Sequence, residues 1–271
     1  MERTYRLVVS CPDRTGIVAK VSNFLATYNG WITEASYHAD QKNGWFFMRN
    51  EVKASSIPFS VQDFKTAFKP IATEYSMNWS ISDSDTKKRV VLMVSKESHC
   101  LADLLHRWHS KELDAEIVAV VSNHDDLRRM VEWHDIPYHH VPVDPNDKAP
   151  AFAEVNRLVE TYQTDLVVLA RYMQILPAEL CELYSGRIIN IHHSFLPSFA
   201  GAKPYHQAYD RGVKLIGATC HYVTQDLDEG PIIDQDVIRI SHSDAIEDMV
   251  RLGKDAEKNV LARGLRLHLE D

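Results

Sequence analysis

The sequence predicts an α/β protein in two parts, and three observations along its 271 residues lead to this prediction. The first eighty residues alternate short β-branched runs with helical patterns in the order βαββαβ. A wholly polar stretch, SDSDTKK, then interrupts the chain. Beyond it come short, continuously apolar runs, which are typical of strands buried on both faces of a parallel sheet. We therefore expect a domain at residues 1–82, a linker at 83–88 and a second domain at 89–271.

The amino-terminal part is predicted to be a small antiparallel sheet with two helices on one face. TYRLVVSC predicts the first strand, and apolar residues at helical spacing from Ile17 to Tyr28 predict the first helix. WITEASYHAD and GWFFMRNEVKA, joined by QKNG, predict a hairpin of two strands. Apolar positions from Val61 to Ile71 indicate a second amphipathic helix, and MNWSIS indicates a last strand.

The second part is predicted to be an open, mostly parallel sheet with helices on both faces. Its strands are the apolar runs RVVLMVS, EIVAVVS, PYHHVPV, DLVVLA and RIINI. In such sheets, ligands bind beyond the carboxyl ends of the strands, where the chain order reverses. Asn190, Ile191 and His192 lie at the end of one such run, within the stretch NIHHSFLPSFAG. This stretch is therefore a candidate active site.

Composition excludes several classes of function. A net charge of −8 argues against a protein that binds nucleic acid through a basic face. No run approaches the roughly 20 apolar residues of a membrane span, and MERTYRLVVSCPDR lacks the pattern of an export signal. The cysteines at 11, 100, 181 and 220 are scattered, which favours reduced thiols. We expect a cytoplasmic protein that binds neither nucleic acid nor membrane.

The residue types near the histidine pair suit attack on a carbonyl group. Asn190 and His192 are two apart, so on an extended strand both side chains project from one face. The segment GATCHYVTQDLDEGPII adds an acid-rich loop after another strand. An amide can stabilise an oxyanion, an imidazole can transfer a proton, and a carboxylate can support the charged imidazole or orient the nucleophile.

A metal site is the alternative interpretation of the same residues. His192, His193, His221 and an aspartate are ligand types that zinc accepts. Neighbouring residues of a strand point to opposite faces, so His192 and His193 do not easily share one ion. The chain also has no H-E-x-x-H motif. We therefore favour acid–base catalysis and expect no metal.

The motif N-I-H-H-S-F-L-P-S-F-x-G is followed, 36 residues after His192, by an aspartate of H-Y-V-T-Q-D-L-D-E-G-P-I-I. This pair of motifs resembles the folate-dependent formyltransferase family, and the resemblance covers roughly residues 88 to 271. It implies that Asn190, His192 and Asp228 are the catalytic residues. By the same resemblance, Asp226 would be a solvated loop acid.

The stretch L-A-R-Y-M-Q-I-L, residues 169 to 176, resembles the family's loop that receives the pterin of 10-formyltetrahydrofolate. Folate would then be the substrate, and we expect no cofactor. An amphipathic turn leading to Pro177 explains any single residue of this stretch equally well, and Gln174 stands where relatives often have arginine. The predicted folate-binding residues are Arg171, Tyr172, Met173, Gln174, Ile175, Leu176, His193, Val223 and Thr224.

The amino-terminal part resembles the ACT domain, a ferredoxin-like βαββαβ module that senses amino acids, through C-P-D-R-T-G-I-V-A-K-V-S. The implied effector site is Asp13, Arg14, Thr15 and Gly16, since free amides at a helix N-terminus suit a carboxylate. A helix cap supplied by Asp13 or Thr15 is the competing interpretation. Because ACT domains commonly pair through sheet edges, we expect a homo-oligomer, and by resemblance a tetramer.

The order of the two domains, with H-H rather than H-P after N-I, resembles a hydrolytic branch of the formyltransferase family. It implies hydrolysis of 10-formyltetrahydrofolate to formate and tetrahydrofolate, with formate supplied for purine synthesis. Nucleotide-accepting relatives have a glycine-rich loop after the first strand, whereas VSKESHCLADLL here has no glycine between Val94 and Leu105. Transfer of the formyl group to an amine and a non-catalytic amino-acid sensor are the alternatives.

Overall fold

A computed structural model describes residues 2–198 and 204–270 of the chain, and these form two units that meet between Lys87 and Lys88. The predicted linker at 83–88 is too long at both ends. Asp83 is still paired with Tyr5 in one sheet, and Lys88 is already paired with Ala115 in the other. A polar composition does not prevent backbone pairing, which is why the sequence could not locate these ends. Phe199–Gly201, the end of the histidine motif, lie outside the described residues.

The amino-terminal unit has the predicted βαββαβ order, with one added 3₁₀ turn after the third strand. Its sheet is wholly antiparallel in the order β2-β3-β1-β4. Alternate residues of β1 are buried together with the apolar sides of α1 and α2. The elements are β1 (Thr4–Pro12), α1 (Ile17–Thr27), β2 (Ile32–Asp40), β3 (Trp45–Lys53), α2 (Val61–Glu74) and β4 (Asn78–Asp83).

The second unit contains a seven-stranded, mostly parallel sheet in the order β11-β10-β9-β8-β5-β6-β7. The five predicted apolar runs form its parallel strands. Strand β10 pairs antiparallel with β9, and β11 pairs antiparallel with β10 at the edge of the sheet. Its strands are β5 (Lys88–Val94), β6 (Ala115–Ser122), β7 (Tyr138–His140), β8 (Leu166–Leu169), β9 (Ile188–His192), β10 (Leu215–Tyr222) and β11 (Ile232–Arg239). Its helices are α3 (His99–His109), α4 (Arg128–Glu132), α5 (Ala149–Thr161), α6 (Ala178–Leu183), α7 (Pro204–Asp210) and α8 (Ile246–Glu270).

Helices cover both faces of this sheet, as the continuous apolar runs predicted. Helices α3 and α8 contribute to the core on one face, and α5 and α6 contribute to the core on the other. In β9, Ile189 and Ile191 belong to the first core and Ile188 to the second. Because side chains alternate along a strand, Asn190 and His192 project on the same face as Ile188.

The chain order reverses between β5 and β8, which are adjacent in the sheet although they are far apart in sequence. Parallel sheets bind ligands beyond the carboxyl ends of their strands at such a reversal. Residues 170–177 follow β8 at this edge, and His192 ends β9 beside them. The fold thus brings the two predicted parts of the site to one place.

Candidate active site

A cavity of about 390 Å³ opens at the carboxyl ends of β8 and β9. The segment that follows β10 forms its remaining wall. The three predicted catalytic residues and the nine predicted folate-binding residues all line this cavity. They are Asn190, His192 and Asp228, with Arg171, Tyr172, Met173, Gln174, Ile175, Leu176, His193, Val223 and Thr224. The structure places them together, and their roles stay predictions.

The imidazole of His192 lies against the carboxylate of Asp228 inside this cavity. His192 is 6 % exposed, and its Nδ1 is 3.2 Å from Oδ2 of Asp228. The opposite ring nitrogen, Nε2, is buried and has no hydrogen-bond partner in the part of the chain that the structure describes. The ring is therefore oriented at one nitrogen and available for proton transfer at the other.

Asn190 is oriented by His221, a residue of the neighbouring strand β10. The two residues are register partners, and Nδ2 of Asn190 is 3.1 Å from Nε2 of His221. The other ring nitrogen, Nδ1, is 2.9 Å from the carbonyl oxygen of Tyr222, which can only accept, so Nδ1 holds the proton. Burial lowers the pKa of His221, which keeps Nε2 an acceptor. One N–H of the Asn190 amide is thus donated to His221, and the second remains for a ligand.

Asp228 is held on a closed loop between β10 and β11. The loop closes through a 2.9 Å hydrogen bond from the Tyr222 amide to the carbonyl oxygen of Pro231. A Cβ at Gly230 would lie 1.7 Å from the Tyr222 carbonyl oxygen, so the closure requires glycine there. Asp228 itself has a left-handed backbone, with φ of 59°. Burial raises the pKa of its carboxyl, but the hydrogen bond from His192 and the attraction of nearby imidazoles outweigh burial and hold the pKa below its ordinary value.

The segment after β8 presents an apolar surface to the cavity, and hydrogen bonds to residues that follow β5 and β6 hold it in place. The Met173 amide donates to Oγ of Ser95 at 2.9 Å, and Ser95 donates to Oδ1 of Asn123 at 2.6 Å. Met173 and Ile175 are 55 % and 59 % exposed beside the cavity, as expected where a planar ligand docks. No sequence pattern indicated that Ser95 would hold this segment.

Tyr172 and Arg171 differ from their neighbours in having buried polar atoms without partners among the described residues. The Tyr172 hydroxyl is one such atom, and burial raises its pKa to about 12. Nε and Nη1 of Arg171 are two others. Buried polar groups are nearly always hydrogen-bonded in native proteins, so unpaired groups around a cavity mark places where a ligand or water can bind.

His193 contacts a different set of side chains from His192. Its ring centre is 5.2 Å from that of His192 and 6.1 Å from that of Tyr205. Burial, reinforced by the charge of Arg171, lowers the pKa of His193 to about 4. His193 is therefore neutral in the physiological range.

Behind His193 lies a buried carboxylate, Glu257, which is 1 % exposed on α8. It accepts hydrogen bonds of 2.7 Å from Nε2 of His99 and from the hydroxyl of Tyr205, and Nε of Arg171 lies 3.4 Å away. Burial raises the pKa of Glu257, but the hydrogen bond from His99 and the charge of Arg171 outweigh it, and the net pKa is lowered. The sequence analysis missed this residue.

The described residues contain one group with the side-chain types and spacing of a metal site, namely His99, Cys100 and Glu257. Both oxygens of Glu257 already accept hydrogen bonds there, and the cation of Arg171 lies beside it. That arrangement disfavours a divalent cation. The histidines of the predicted alternative metal site are not part of this group.

The predicted effector residues Asp13–Gly16 lie between β1 and α1. Gly16 caps α1 in a left-handed conformation, with φ of 92°, and no side chain supplies a capping hydrogen bond. The N-cap position is thus occupied by glycine rather than by Asp13 or Thr15, and glycine adopts this left-handed conformation without strain. Arg14 donates to the carbonyl oxygen of Glu74 at 2.5 Å and stacks on Tyr75 with 3.9 Å between the guanidinium carbon and the ring centre.

Several cavity residues were not predicted. Asp226 is exposed, as expected of a solvated acid, but it also lines the cavity. The cavity residues absent from the predicted set are Leu169, Cys181, Ile191, His221, Gln225, Asp226 and Leu227. Most of them are apolar or lie in the loop, where no motif distinguishes a lining residue from a neighbour.

With this geometry in hand, known proteins offer a direct comparison. Residues 88–265 match the formyl transferase family model. The chain is 47 % identical to the formyltetrahydrofolate deformylase of Bacillus subtilis, over 98 % of this chain and 89 % of the relative. A crystal structure of a formyltetrahydrofolate deformylase from Pseudomonas syringae pv. tomato is 72 % identical, with a TM-score of 0.99 over 100 % of this chain and 91 % of that one.

The chain belongs to the formyltetrahydrofolate deformylase family. It is more distantly similar to the phosphoribosylglycinamide formyltransferase of Anaplasma phagocytophilum, at 32 % identity and a TM-score of 0.64 over 69 % of this chain and 88 % of that one. The predicted resemblance to the folate-dependent formyltransferases is thus confirmed.

Across residues 2–198 and 204–270, no helix combines the length and the apolar character that spanning a membrane would require. The longest, α8, runs from Ile246 to Glu270 and has charged residues along its length.

Proposed function

We propose that this protein hydrolyses 10-formyltetrahydrofolate to formate and tetrahydrofolate, with Asn190, His192 and Asp228 as its catalytic residues. The observation that supports this most strongly is the free Nε2 of His192 in the cavity, opposite a nitrogen held by Asp228. This is the arrangement of a general base whose charged form is stabilised by a carboxylate. The relatives that match nearly the full length of this chain are named for this activity.

The reaction would begin when neutral His192 takes a proton from water at Nε2. The water oxygen forms a bond to the formyl carbon, and the former carbonyl oxygen becomes an oxyanion. The free N–H of Asn190 donates to this oxyanion, while His221 holds the amide in place. Asp228 stabilises the imidazolium of His192 meanwhile.

The second step breaks the bond between the formyl carbon and N10 of the folate. His192 returns its proton to N10 as the bond electrons move there, which leaves tetrahydrofolate. The carbon keeps both oxygens and departs as formic acid, which ionises to formate and a proton. Water has then been consumed, and the three catalytic side chains have returned to their starting states.

The test is to supply the purified protein with 10-formyltetrahydrofolate and no acceptor, in ¹⁸O-labelled water. We expect formate with one labelled oxygen, at a rate that does not change when glycinamide ribonucleotide is added. Formylated ribonucleotide with suppressed formate would instead assign a formyltransferase. Absence of turnover, together with binding of an amino acid, would assign a sensor.

The segment after β5 supports water rather than a nucleotide amine as acceptor. In place of bare amides, this segment has Glu97, paired with Lys254 at 2.5 Å, and His99, bound to Glu257. Side chains at these positions would crowd the close approach of backbone amides to a phosphate. We propose further that no metal is needed, and expect activity to survive exhaustive chelation. Zinc in stoichiometric amount, with activity lost on its removal, would contradict this.

We also propose that the amino-terminal unit is an ACT-like regulatory domain that binds an amino acid at Asp13–Gly16. Support comes from its βαββαβ order, and from an α1 whose first amides have no side-chain cap. A small amino acid, with glycine and methionine as the first candidates, should change the rate of hydrolysis. Asp13→Ala should weaken that response without changing the rate in its absence. If no amino acid alters the rate, the unit has no sensing role.

A homo-oligomer was predicted from sheet edges, with a tetramer expected by family resemblance, and we retain this as a proposal. Strand β2 is an edge of its sheet, and all but its two end residues are exposed. Light scattering during size-exclusion chromatography would give the mass directly. The four cysteines are free, in keeping with the proposed cytoplasmic location.

A further inference from the structure

Arg171 lines the catalytic cavity with an unsatisfied guanidinium group. Its Nε and Nη1 are buried and have no hydrogen-bond acceptor within the described residues. The nearest carboxylate oxygen, on Glu257, is 3.4 Å from Nε, close enough for charge attraction without a hydrogen bond. A guanidinium has only donors and stays charged, so an acceptor has to come from a ligand or from water.

The backbone conformation of Arg171 indicates that surrounding contacts hold this residue in place. Arg171 has φ of 65°, a left-handed conformation that is uncommon for residues with a side chain. Such conformations persist where surrounding contacts enforce them, and they cluster at functional sites. Here Glu257 supplies the opposing charge, and Glu257 is itself fixed by His99 and Tyr205.

Tyr205 reaches Glu257 because α8 has a glycine one turn earlier. A Cβ at Gly253 would lie 1.9 Å from the Tyr205 hydroxyl oxygen. The hydroxyl therefore occupies the space of the missing side chain and donates to Glu257 at 2.7 Å. Burial raises the pKa of Tyr205, so the hydroxyl stays protonated and remains a donor. The carboxylate that faces Arg171 is thus held on two sides.

The charges around Arg171 leave room for an anion. Glu97, the other acid on this side, is paired with Lys254 at 2.5 Å, and Glu257 is shared with two donors. His193, between Arg171 and the catalytic His192, is neutral because its pKa is about 4. Glu257 offsets part of the guanidinium charge and the neutral imidazole adds no charge, so the donors Nε and Nη1, unpaired among the described residues, remain available to an anion.

We propose that Arg171 binds the carboxylate released by the reaction, formate, and that Glu257 is the residue that positions Arg171. This rests on the proposed hydrolysis, which makes formate within the same cavity. An N–H of a charged guanidinium, such as that of Nη1, donates a strong, charge-assisted hydrogen bond to a carboxylate, and formate is the smallest carboxylate. The folate's own glutamate tail is the other carboxylate within reach of this chemistry.

The experiment measures binding of ¹³C-formate by NMR line broadening, with no folate present and therefore no turnover. The wild-type protein, Arg171→Met and Glu257→Gln are compared, and Arg157→Met and Glu247→Gln are controls at exposed positions. A hydrogen bond to a charged group contributes about 1.5–3 kcal/mol, so Arg171→Met should weaken formate binding by about 10- to 100-fold. Glu257→Gln should weaken it by a smaller factor, and the controls should bind as the wild type does.

Two conservative variants distinguish a loss of binding from a loss of folding. Arg171→Lys keeps the charge without the planar fork and should restore part of the binding. Tyr205→Phe removes one donor to Glu257 and should weaken binding slightly, with thermal melting used to verify that each variant is folded. The double variant of Arg171→Met and Glu257→Gln should bind no worse than Arg171→Met alone, since Glu257 acts through Arg171.

Unchanged formate binding in folded Arg171→Met, or no saturable binding by the wild type, would overturn the proposal. If Arg171→Met instead raises KM for 10-formyltetrahydrofolate and leaves formate binding intact, Arg171 contacts the folate tail and the formate site is wrong. Formate binding that depends on Arg171 in a protein that releases no formate from the folate would refute the proposed hydrolysis, but not the anion site.

Discussion

His192 and His193 are adjacent in the chain, yet the two side chains belong to different polar clusters. His192 is held by Asp228 at one nitrogen and has no partner at the other. His193 faces Tyr205 and the buried Glu257 cluster, where the carboxylate is held by its own donors. The first cluster is incomplete without a ligand, and the centre of the second is satisfied by the protein itself.

The difference shows that neighbouring residues can have separate tasks, proton transfer in one cluster and the positioning of side chains in the other. Moving a buried carboxylate away from its donors costs much free energy, so such a group holds its neighbours in place. A buried imidazole with one free nitrogen is available to exchange protons. Arg171 combines both properties: it is held by the charge of Glu257, and it still has donors without a partner among the described residues. Substitutions in either cluster should therefore have different effects on turnover and on stability.

The largest effect is expected from Asp228→Asn. Asparagine tolerates the left-handed backbone at 228, so the loop should keep its shape. The amide cannot stabilise protonated His192 and can hold the wrong tautomer of the ring. Loss of such a group typically lowers kcat by about 10² to 10⁴-fold, and folate binding should be largely retained. Steady-state kinetics and equilibrium binding measure the two parts.

Glu229→Gln is the matched control for Asp228→Asn. It removes one charge from the adjacent, exposed position, which does not line the cavity. Its kcat should equal that of the wild type. Wild-type turnover by Asp228→Asn would move the catalytic centre elsewhere.

A smaller effect is expected on stability below neutral pH. His193 has a pKa near 4 in the folded protein against an ordinary value of 6.5, so the unfolded chain binds its proton first as pH falls. The free energy of unfolding should therefore decrease between pH 6.5 and 4, by up to about 3 kcal/mol from this residue. The lowered pKa of His221 adds a contribution of the same sign.

Denaturant unfolding of His193→Asn over this pH range measures the contribution. The decrease with falling pH should be smaller than in the wild type, and the remainder belongs partly to His221. His242→Asn, at an exposed position, controls for the loss of an imidazole. An identical pH dependence in His193→Asn and the wild type would mean that His193 is not held neutral.

The smallest effect is expected from Ser95→Ala, which removes the acceptor of the Met173 amide. One hydrogen bond contributes about 1 kcal/mol, so KM for the folate should rise by roughly five-fold. The value of kcat should stay nearly constant, because the catalytic trio is not touched. Ser98→Ala, three residues away and without a capping hydrogen bond, is the control. A fall in kcat without a change in KM would contradict the supporting role of Ser95.

Strand β9 and the cavity-lining segment after β8 were predictable because both have local signals. Alternation fixes the shared face of Asn190 and His192, and an apolar run that ends in polar residues marks the edge of a sheet. Asp228 was found through its motif rather than through spacing. Pairing of β10 with β9, which brings His221 to Asn190, depends on contacts between strands and has no local signal.

Glu257 was missed although a signal existed. On α8 it lies in the same stripe as the buried residues Gly253, Ala256 and Val260. An acid at a core position of an amphipathic helix is unusual and requires a partner. The partners, His99 on α3 and Arg171 after β8, are distant in the sequence, so the helix pattern alone could not name them.

Strand β9 determines which deletions and insertions this protein can tolerate. Side chains change faces at every residue, so one residue added between Ile188 and Asn190 would exchange the surroundings of everything after it. The side chain of His192 would then face Glu257 of α8, and the side chain of His193 would face Asp228. Length variation among homologues should therefore be absent from this strand and concentrated in turns such as residues 85–87, which lie between β4 and β5.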